Sequence, residues 1–234
     1  MKSSLKTLDC LQCASRESGI FCDLSALSTQ RLNQKKRANH YKKGQVLFYE
    51  GNQPYGIYCI FSGKVKLYKN SVEGRPQILR LAGSGGILGY RSLFSEELYH
   101  ATAEVLEEGE ICFIDRQVFL DLVAENPDLA TKLIKKLSQE LRVAEELASS
   151  LSQHKAKERL AKLLINLKDY YGKANGQGVD IQLGLSREDL ANMVGMTPET
   201  VVRLLSEFKE KGWIDLRGKK ISVLKAKELA AVMD

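Results

Sequence analysis

The chain has 234 residues, 44% of them hydrophobic and 27% charged, with a net charge of +6. That length allows one large domain or two small ones, each with its own core, and the composition is that of a folded water-soluble protein. No apolar run approaches the ~18 residues of a membrane span, and MKSSLKTLDCLQC has neither an apolar segment nor a small-residue cleavage site, so a cytoplasmic protein is expected.

Three of the five cysteines come first, Cys10, Cys13 and Cys22, in DCLQCASRESGIFC. Bunched thiols in a reducing compartment point to metal or redox chemistry rather than to a disulfide frame. Residues 41–115 follow, rich in glycine and β-formers. The runs QVLFYE, GIYCIF, KVKLYK, QILRLA and EICFID alternate with turns at Gly44, Gly51, Gly63, Gly74 and Gly83. Many short strands with regular turn signals predict an all-β roll or barrel.

The texture then changes. PDLATKLIKKLSQELRVAEELASSLS, residues 127–152, contains no glycine. Pro127 suits the first helical turn, with Asn126 as its cap. Ile134, Leu137, Leu141, Ala144, Ala148 and Leu151 follow 3-4 spacing, the apolar seam of a helix that pairs with a copy of itself. A helix packed on its own roll is the alternative. HKAKERLAKLLINLKDYYG reads as an amphipathic helix with Leu160, Leu163, Leu164 and Leu167 inward. KANGQG reads as a turn and IQL as a short strand.

Residues 186–210 carry the clearest signal. Ser186 and Asp189 form an S-x-x-D capping box, and Gly195 ends the helix that starts there. Thr197 caps a second helix with Pro198 at its first position and Glu199 at its positive end. Val201, Leu204, Leu205 and Phe208 line its inner face. Two short helices joined by a glycine turn are a helix-turn-helix. Glu199, Val202 and Arg203 are left facing outward near the start of the second helix. That end of a recognition helix enters the major groove. Arginine can grip guanine, glutamate can accept from cytosine, and an apolar side chain can touch a thymine methyl. Glu199 and Arg203 can equally form an i,i+4 ion pair, which would orient the arginine. Ser186, Arg187, Thr197 and Thr200 complete the candidate contacts. WIDLRGKKISVL reads as a hairpin around Arg217 and Gly218 with Lys219 and Lys220 at its tip, a wing placed for phosphates. Residues 154–234 hold 15 Lys and Arg against 11 Asp and Glu, a net of +4. Most of the basic excess therefore lies in this unit, as DNA binding requires.

GMTPETVVRLL and YKKGQVLFYEGNQPYGIYCIFSGKVKLYK resemble the Crp/Fnr family of bacterial transcription regulators, over roughly residues 20–225. The resemblance implies an α+β chain. Residues 1–22 would be a Cys-containing segment, 23–125 a jelly-roll-like antiparallel β-roll sensor of the cyclic-nucleotide-binding type, 126–152 a dimerisation helix, and 153–234 a winged helix-turn-helix. It further implies a cytoplasmic homodimer that reads palindromic double-stranded DNA, with RNA polymerase as a partner. Glu199 and Arg203 match the family's two base-reading positions.

The phosphate pocket of the cyclic-AMP receptor shows Gly-Glu, then Arg-Ser or Arg-Ala about ten residues later. Here Gly89 and Tyr90 stand in the first place and His100 and Ala101 in the second, with Arg91 nearby. A neutral histidine replaces a bidentate arginine poorly, so a cyclic nucleotide is not the expected effector. Gly83, Gly85, Gly86 and Gly89 do not lie between a strand and a long helix, so they read as turns of the roll and not as a phosphate loop. The oxygen-sensing branch binds a [4Fe–4S] cluster through three N-terminal cysteines and one late in the roll. By that resemblance Cys10, Cys13, Cys22 and Cys112 are the candidates, with a wider second gap than the branch shows. Zinc on the same thiols, or thiols without metal, remain open. Cys59 is expected to be a buried strand residue. The alternative class is a ligand or metal sensor acting through protein contacts. With no nucleophile–base constellation, hydrolase motif or phosphate loop, no catalysis is expected.

Overall fold

A computed structural model describes residues 9–13, 19–70, 76–153 and 155–232; the side chains of 12, 147, 148 and 150–153 lie outside the described set. The chain divides into two compact units, Met1–Lys69 with Leu79–Glu140, and Asn70–Ile78 with Leu141–Asp234.

The first unit is built on two four-stranded antiparallel sheets. β1 (Arg37–Tyr41), β8 (Gly109–Asp115), β3 (Gly56–Ile60) and β6 (Ile87–Leu88) form one, in that order. β2 (Val46–Phe48), β7 (Thr102–Glu107), β4 (Lys64–Asn70) and β5 (Pro76–Ala82) form the other. The five runs read as strands are present, and β1, β6 and β7 are additional. β1 reads RANHY and is mostly exposed, so it lacks the period-2 apolar pattern. β7 carries Glu104 and Glu107, which pair with Lys66 at 3.3 Å and Lys64 at 2.7 Å across to β4.

Period-2 alternation gives the first sheet two apolar faces. Ile60 and Ile111 join Val65, Leu67, Ala103 and Val105 in the core between the sheets. Ile57 and Ile114 point the other way, into a core closed by Leu32 of α1 (Ala26–Lys35), Tyr90 and Leu93 of α2 (Tyr90–Ser95), and Phe119 and Leu122 of α3 (Arg116–Glu125). Cys59 and Cys112 share the parity of Ile57 and Ile114, so they face the helices.

The long helix α4 spans Pro127–Gln153, as the sequence predicts. Asn126 does not cap it through its side chain. Its amide instead donates to the Leu122 carbonyl at 2.7 Å and its Oδ1 accepts from Ser28 at 3.3 Å, which seals the end of α3. Leu129 and Leu133 anchor α4 in the core of the first unit. The seam lies elsewhere on the helix: Ile134, Leu137 and Leu141 are 65%, 37% and 60% exposed, and Ala144 is exposed too. The side chains of Ala148 and Leu151 lie outside the described residues.

The second unit holds α5 (Ala156–Tyr171), α6 (Arg187–Val194), α7 (Pro198–Glu210) and α8 (Ala226–Ala230) with β9 (Gly172–Ala174), β10 (Val179–Ile181), β11 (Ile214–Arg217) and β12 (Lys220–Val223). The sheet order is β11-β12-β10-β9. The strand expected at IQL lies two residues earlier, and β9 pairs with it across the NGQG turn. Three exposed residues of β9 offered no apolar pattern to read.

Candidate functional site

The helix-turn-helix forms as its caps dictate. The Ser186 hydroxyl accepts from the Asp189 N–H at 3.0 Å and the Asp189 carboxylate accepts from the Ser186 N–H at 2.9 Å. Gly195 closes α6 in the left-handed region at φ +62°, where a side chain would be strained. The Thr197 hydroxyl accepts from the Thr200 N–H at 3.3 Å and Pro198 opens α7. Leu190, Ala191 and Val194 pack in the same unit as Val201, Leu204, Leu205 and Phe208, all under 4% exposed. One residue that the sequence reading passed over holds the turn. Arg159 of α5 donates from Nε to the Val194 carbonyl at 2.9 Å and from the guanidinium to the Gly195 carbonyl at 3.3 Å. The last carbonyls of a helix are a natural seat for a cation, and that was the available signal.

Three predicted readers share the outer face of α7: Glu199 and Arg203 are exposed and Val202 is 48% exposed. The wing is a two-residue hairpin in which Arg217 pairs with Lys220 and Gly218 takes φ +61°. Arg187 fastens the wing to α6, its guanidinium donating to the Gly218 carbonyl at 3.1 Å. Lys219 is exposed at the tip. Lys220 is committed differently: its ammonium lies 2.6 Å from Asp180 Oδ2 on β10, while Asp180 Oδ1 accepts from Ser222 at 2.6 Å and from Asn175.

Lys220, then Ser222 and Asn175, hold the Asp180 carboxyl at about 2, against an ordinary value of 3.8. A carboxylate with a depressed pKa stabilises the fold fully above its unfolded value, and that contribution disappears as pH falls through its folded one. Asp180 therefore supports this sheet above about pH 4 and ceases to by about pH 2. Asp180→Asn should lower stability at neutral pH and flatten the acid limb of a stability–pH curve measured by urea titration. An unchanged limb would mean that Asp180 is not held by these partners.

In the roll, all five predicted effector residues meet. Gly89, Tyr90, Arg91, His100 and Ala101 line a cavity of about 20 Å³ together with Arg80. Burial, then the charges of Arg91, Lys69 and Arg80, lower the His100 pKa, so the ring is neutral at neutral pH. Arg80 was missed. It shares the face of Ile78 and Ala82 along β5, which puts a cation on the inward side of a strand. Its guanidinium pairs with Glu140 and donates to the Ile87 carbonyl at 3.1 Å. Tyr90 is fully buried beside this pair. Its hydroxyl, Arg80 Nε and Glu140 Oε2 are buried without a hydrogen bond of good geometry. Burial first, and then the adjacent Glu140, push the Tyr90 hydroxyl far above its ordinary range.

The cysteines group differently from the sequence proposal. Cys10, Cys13 and Cys112 line one cavity of about 50 Å³, but its fourth thiol is Cys59. Cys59 and Cys112 lie directly opposite each other on β3 and β8. Cys22 is not among the lining residues; its sulfur accepts from Lys132 at 2.7 Å. Burial pushes the Cys59 thiol far up and Cys112 to about 11. The donors suit a soft metal in kind. Among the described residues, no three of His, Cys, Asp or Glu stand close enough together to hold a metal ion. That holds for Cys10, Cys13, Cys22 and Cys112 and equally for the four thiols that line the cavity.

A β-roll with a long helix and a winged helix-turn-helix defines a transcription regulator of the helix-turn-helix type. Residues 38–126 match the cyclic nucleotide-binding domain and residues 158–232 the Crp-like helix-turn-helix domain. The chain is 30% identical to the regulatory protein HlyX of Actinobacillus pleuropneumoniae over 95% of its length and 93% of the relative's. It is 27% identical to a CRP-like cAMP-activated global transcriptional regulator of Mycobacterium tuberculosis, over 91% and 95%. Among solved structures, FixK2 from Bradyrhizobium japonicum superposes with a TM-score of 0.76 at 25% identity, covering 85% of this chain and 98% of that one. The chain belongs to the Crp/Fnr family of regulators. Among the described residues no helix is long and apolar enough to cross a membrane.

Proposed function

We infer that this chain binds palindromic DNA sequence-specifically as a two-fold dimer, through α7 and the wing, under control of a signal received in the roll. The observation that carries this is the exposed row Glu199, Val202 and Arg203 at the start of α7, on a helix whose other face is buried. The exposed seam on α4 supports pairing with a second copy. RNA polymerase is the partner that a regulator of this family addresses from the DNA.

The thiols support a metal or redox signal better than a cyclic nucleotide. At the matching place the family cavity offers a neutral His100 where a phosphate would need a cation, Arg80 already serves Glu140, and Arg91 lines the cavity away from that place. Cys10, Cys13 and Cys112 share a cavity in the same unit. An iron–sulfur or zinc centre there would supply oxygen- or metal-dependent stability to the N-terminal turn, and the protein's own part is to present the sulfurs and exclude water.

Arg203→Ala should cost roughly 1–3 kcal/mol on the best operator and relax preference at one base pair per half-site, as loss of a bidentate guanine contact does. Lys219→Ala should weaken all sequences alike and reduce the salt slope by about one. Lys220→Ala should act mainly on stability, through Asp180. Titration of operator and random duplexes at several salt concentrations measures each. If Arg203→Ala leaves the operator-to-random ratio unchanged, the reader face is misassigned and a sensor acting through protein contacts becomes the better account.

A further inference from the structure

One charged pair is largely buried where the roll meets the long helix, and its acid, Glu140, borders the seam. We propose that Arg80 and Glu140, seated on Tyr90, are a latch that sets the rotation of α4 against the roll and so passes the state of the roll to the seam. This rests on the seam and signal reading above and names the residues that link the two.

Position is the first support. Glu140 stands three residues after Leu137 and one before Leu141, so it flanks the exposed stripe. Residues that flank a coiled-coil seam usually pair with charges on the facing helix. Glu140 turns to its own roll instead. Its carboxylate pairs with Arg80 of β5, sixty residues earlier, and the two side chains are 19% and 21% exposed. Arg80 is fixed in turn. It donates to the Ile87 carbonyl of β6 at 3.1 Å, and its guanidinium lies 6.0 Å from the centre of the Tyr90 ring at the start of α2. Lys136, one helical turn before Glu140, reaches the same carboxylate oxygen at 3.5 Å. On the roll side, Ile87 pairs directly with Cys59 of β3, one of the thiols that line the N-terminal cavity. The latch is therefore one strand pairing away from those thiols.

Energetics are the second support. A buried ion pair adds little net stability, because desolvation offsets the attraction, yet breaking it strands a buried charge. Such a pair favours one orientation of the elements that carry it. A turn of α4 about its axis would pull Glu140 off Arg80. The cluster is also under-satisfied: Arg80 Nε, Glu140 Oε2 and the Tyr90 hydroxyl are all buried without a hydrogen bond of good geometry. Unmet polar atoms in a low-dielectric site are costly, and three at one place raise the free energy of the latched arrangement. A second setting of the helix, in which these atoms find partners, then lies close to it. That is the property a switch requires, since a signal moves an equilibrium only between states of similar free energy.

The test uses the full chain with Arg80→Leu, Glu140→Leu and the double variant. Thermal melting by circular dichroism, sedimentation velocity, and titration of operator and random duplexes are measured for each. Either single variant should melt lower, since it leaves one buried charge alone. The double variant should regain the melting point and stay dimeric, because both charges are gone. It should nevertheless bind the operator roughly 5–150-fold more weakly, the usual range of a coupling between sites. Its affinity for random DNA should stay within about twofold, since backbone contacts do not need two half-sites in register. A double variant that regains operator affinity together with its stability makes the pair a structural contact only and overturns the latch. So does a double variant that fails to fold, because a latch can be removed from parts that stand without it. In both cases a dimeric wild type leaves the seam reading intact. Wild-type protein that sediments as a monomer overturns the seam reading and the latch with it.

Discussion

Leu141→Glu should turn a dimer into a monomer in sedimentation velocity, with the fold of the single chain unchanged. The expectation separates two effects that a hydrophobic-to-charged change usually mixes. Leu141 is 60% exposed within one chain, so a carboxylate there meets water and costs folding little. Across a two-fold seam the same residue meets its own copy, and two like charges must then be desolvated together at a cost of several kcal/mol. Ile134 and Leu137 lie on the same stripe and are exposed in the same sense. Leu133 provides the contrast: it is 3% exposed, so Leu133→Glu should unfold the first unit. Operator affinity should fall steeply in Leu141→Glu, because a palindrome is gripped by two linked readers and each half alone binds weakly. A variant that sediments as a dimer would remove this face from the interface.

The parts of the chain that follow local rules were legible before any coordinates. A cap, a glycine and a proline mark α6 and α7 almost to the residue, since each acts within one turn of helix. The strands with apolar alternation were legible for the same reason. What could not be read depends on partners distant in sequence. β1 is a strand only because β8 pairs with it, and β9 only because β10 does. Asn126 looked like a cap because cap preference is local, but Ser28 and Leu122 compete for its side chain. Lys220 looked free because the hairpin tip is local, while Asp180 lies forty residues earlier in the chain.

The thiols show the same boundary more sharply. Bunching in sequence suggested Cys10, Cys13 and Cys22 as a set. Register between β3 and β8 sets Cys59 against Cys112, and no count of gaps along the chain reveals that pairing. Parity did carry a partial signal. Cys59 shares the face of Ile57 and Cys112 that of Ile114, so both had to face one side if those strands paired in register. Arg80 was readable by the same parity, inward between Ile78 and Ala82.

Phe208→Ala should be the most destabilising single change in the second unit. The ring is fully buried on the inner face of α7 and lies 5.7 Å from the Trp213 ring, at the entry to the wing. Truncating a buried phenylalanine costs about 3–5 kcal/mol, from lost transfer energy and from the cavity left behind. Domains of this size have about 5–15 kcal/mol in total, so much of the margin is removed. Trp213 is the chain's single tryptophan, so its fluorescence in a urea titration reports on the unit that contains it. The midpoint should fall by about 1 M or more, given a slope of about 1–3 kcal/mol per molar. Val202→Ala, on the exposed face of the same helix, should move it by less than about 0.5 kcal/mol equivalent. The two variants separate the helix's two roles. Phe208→Ala should lose operator and random DNA together as the unit melts, whereas Val202→Ala should keep the fold and change only which sequence is preferred. A small midpoint shift for Phe208→Ala would mean that the recognition helix is not seated by this ring, and that the reader face owes its orientation to the Arg159 contacts at the turn.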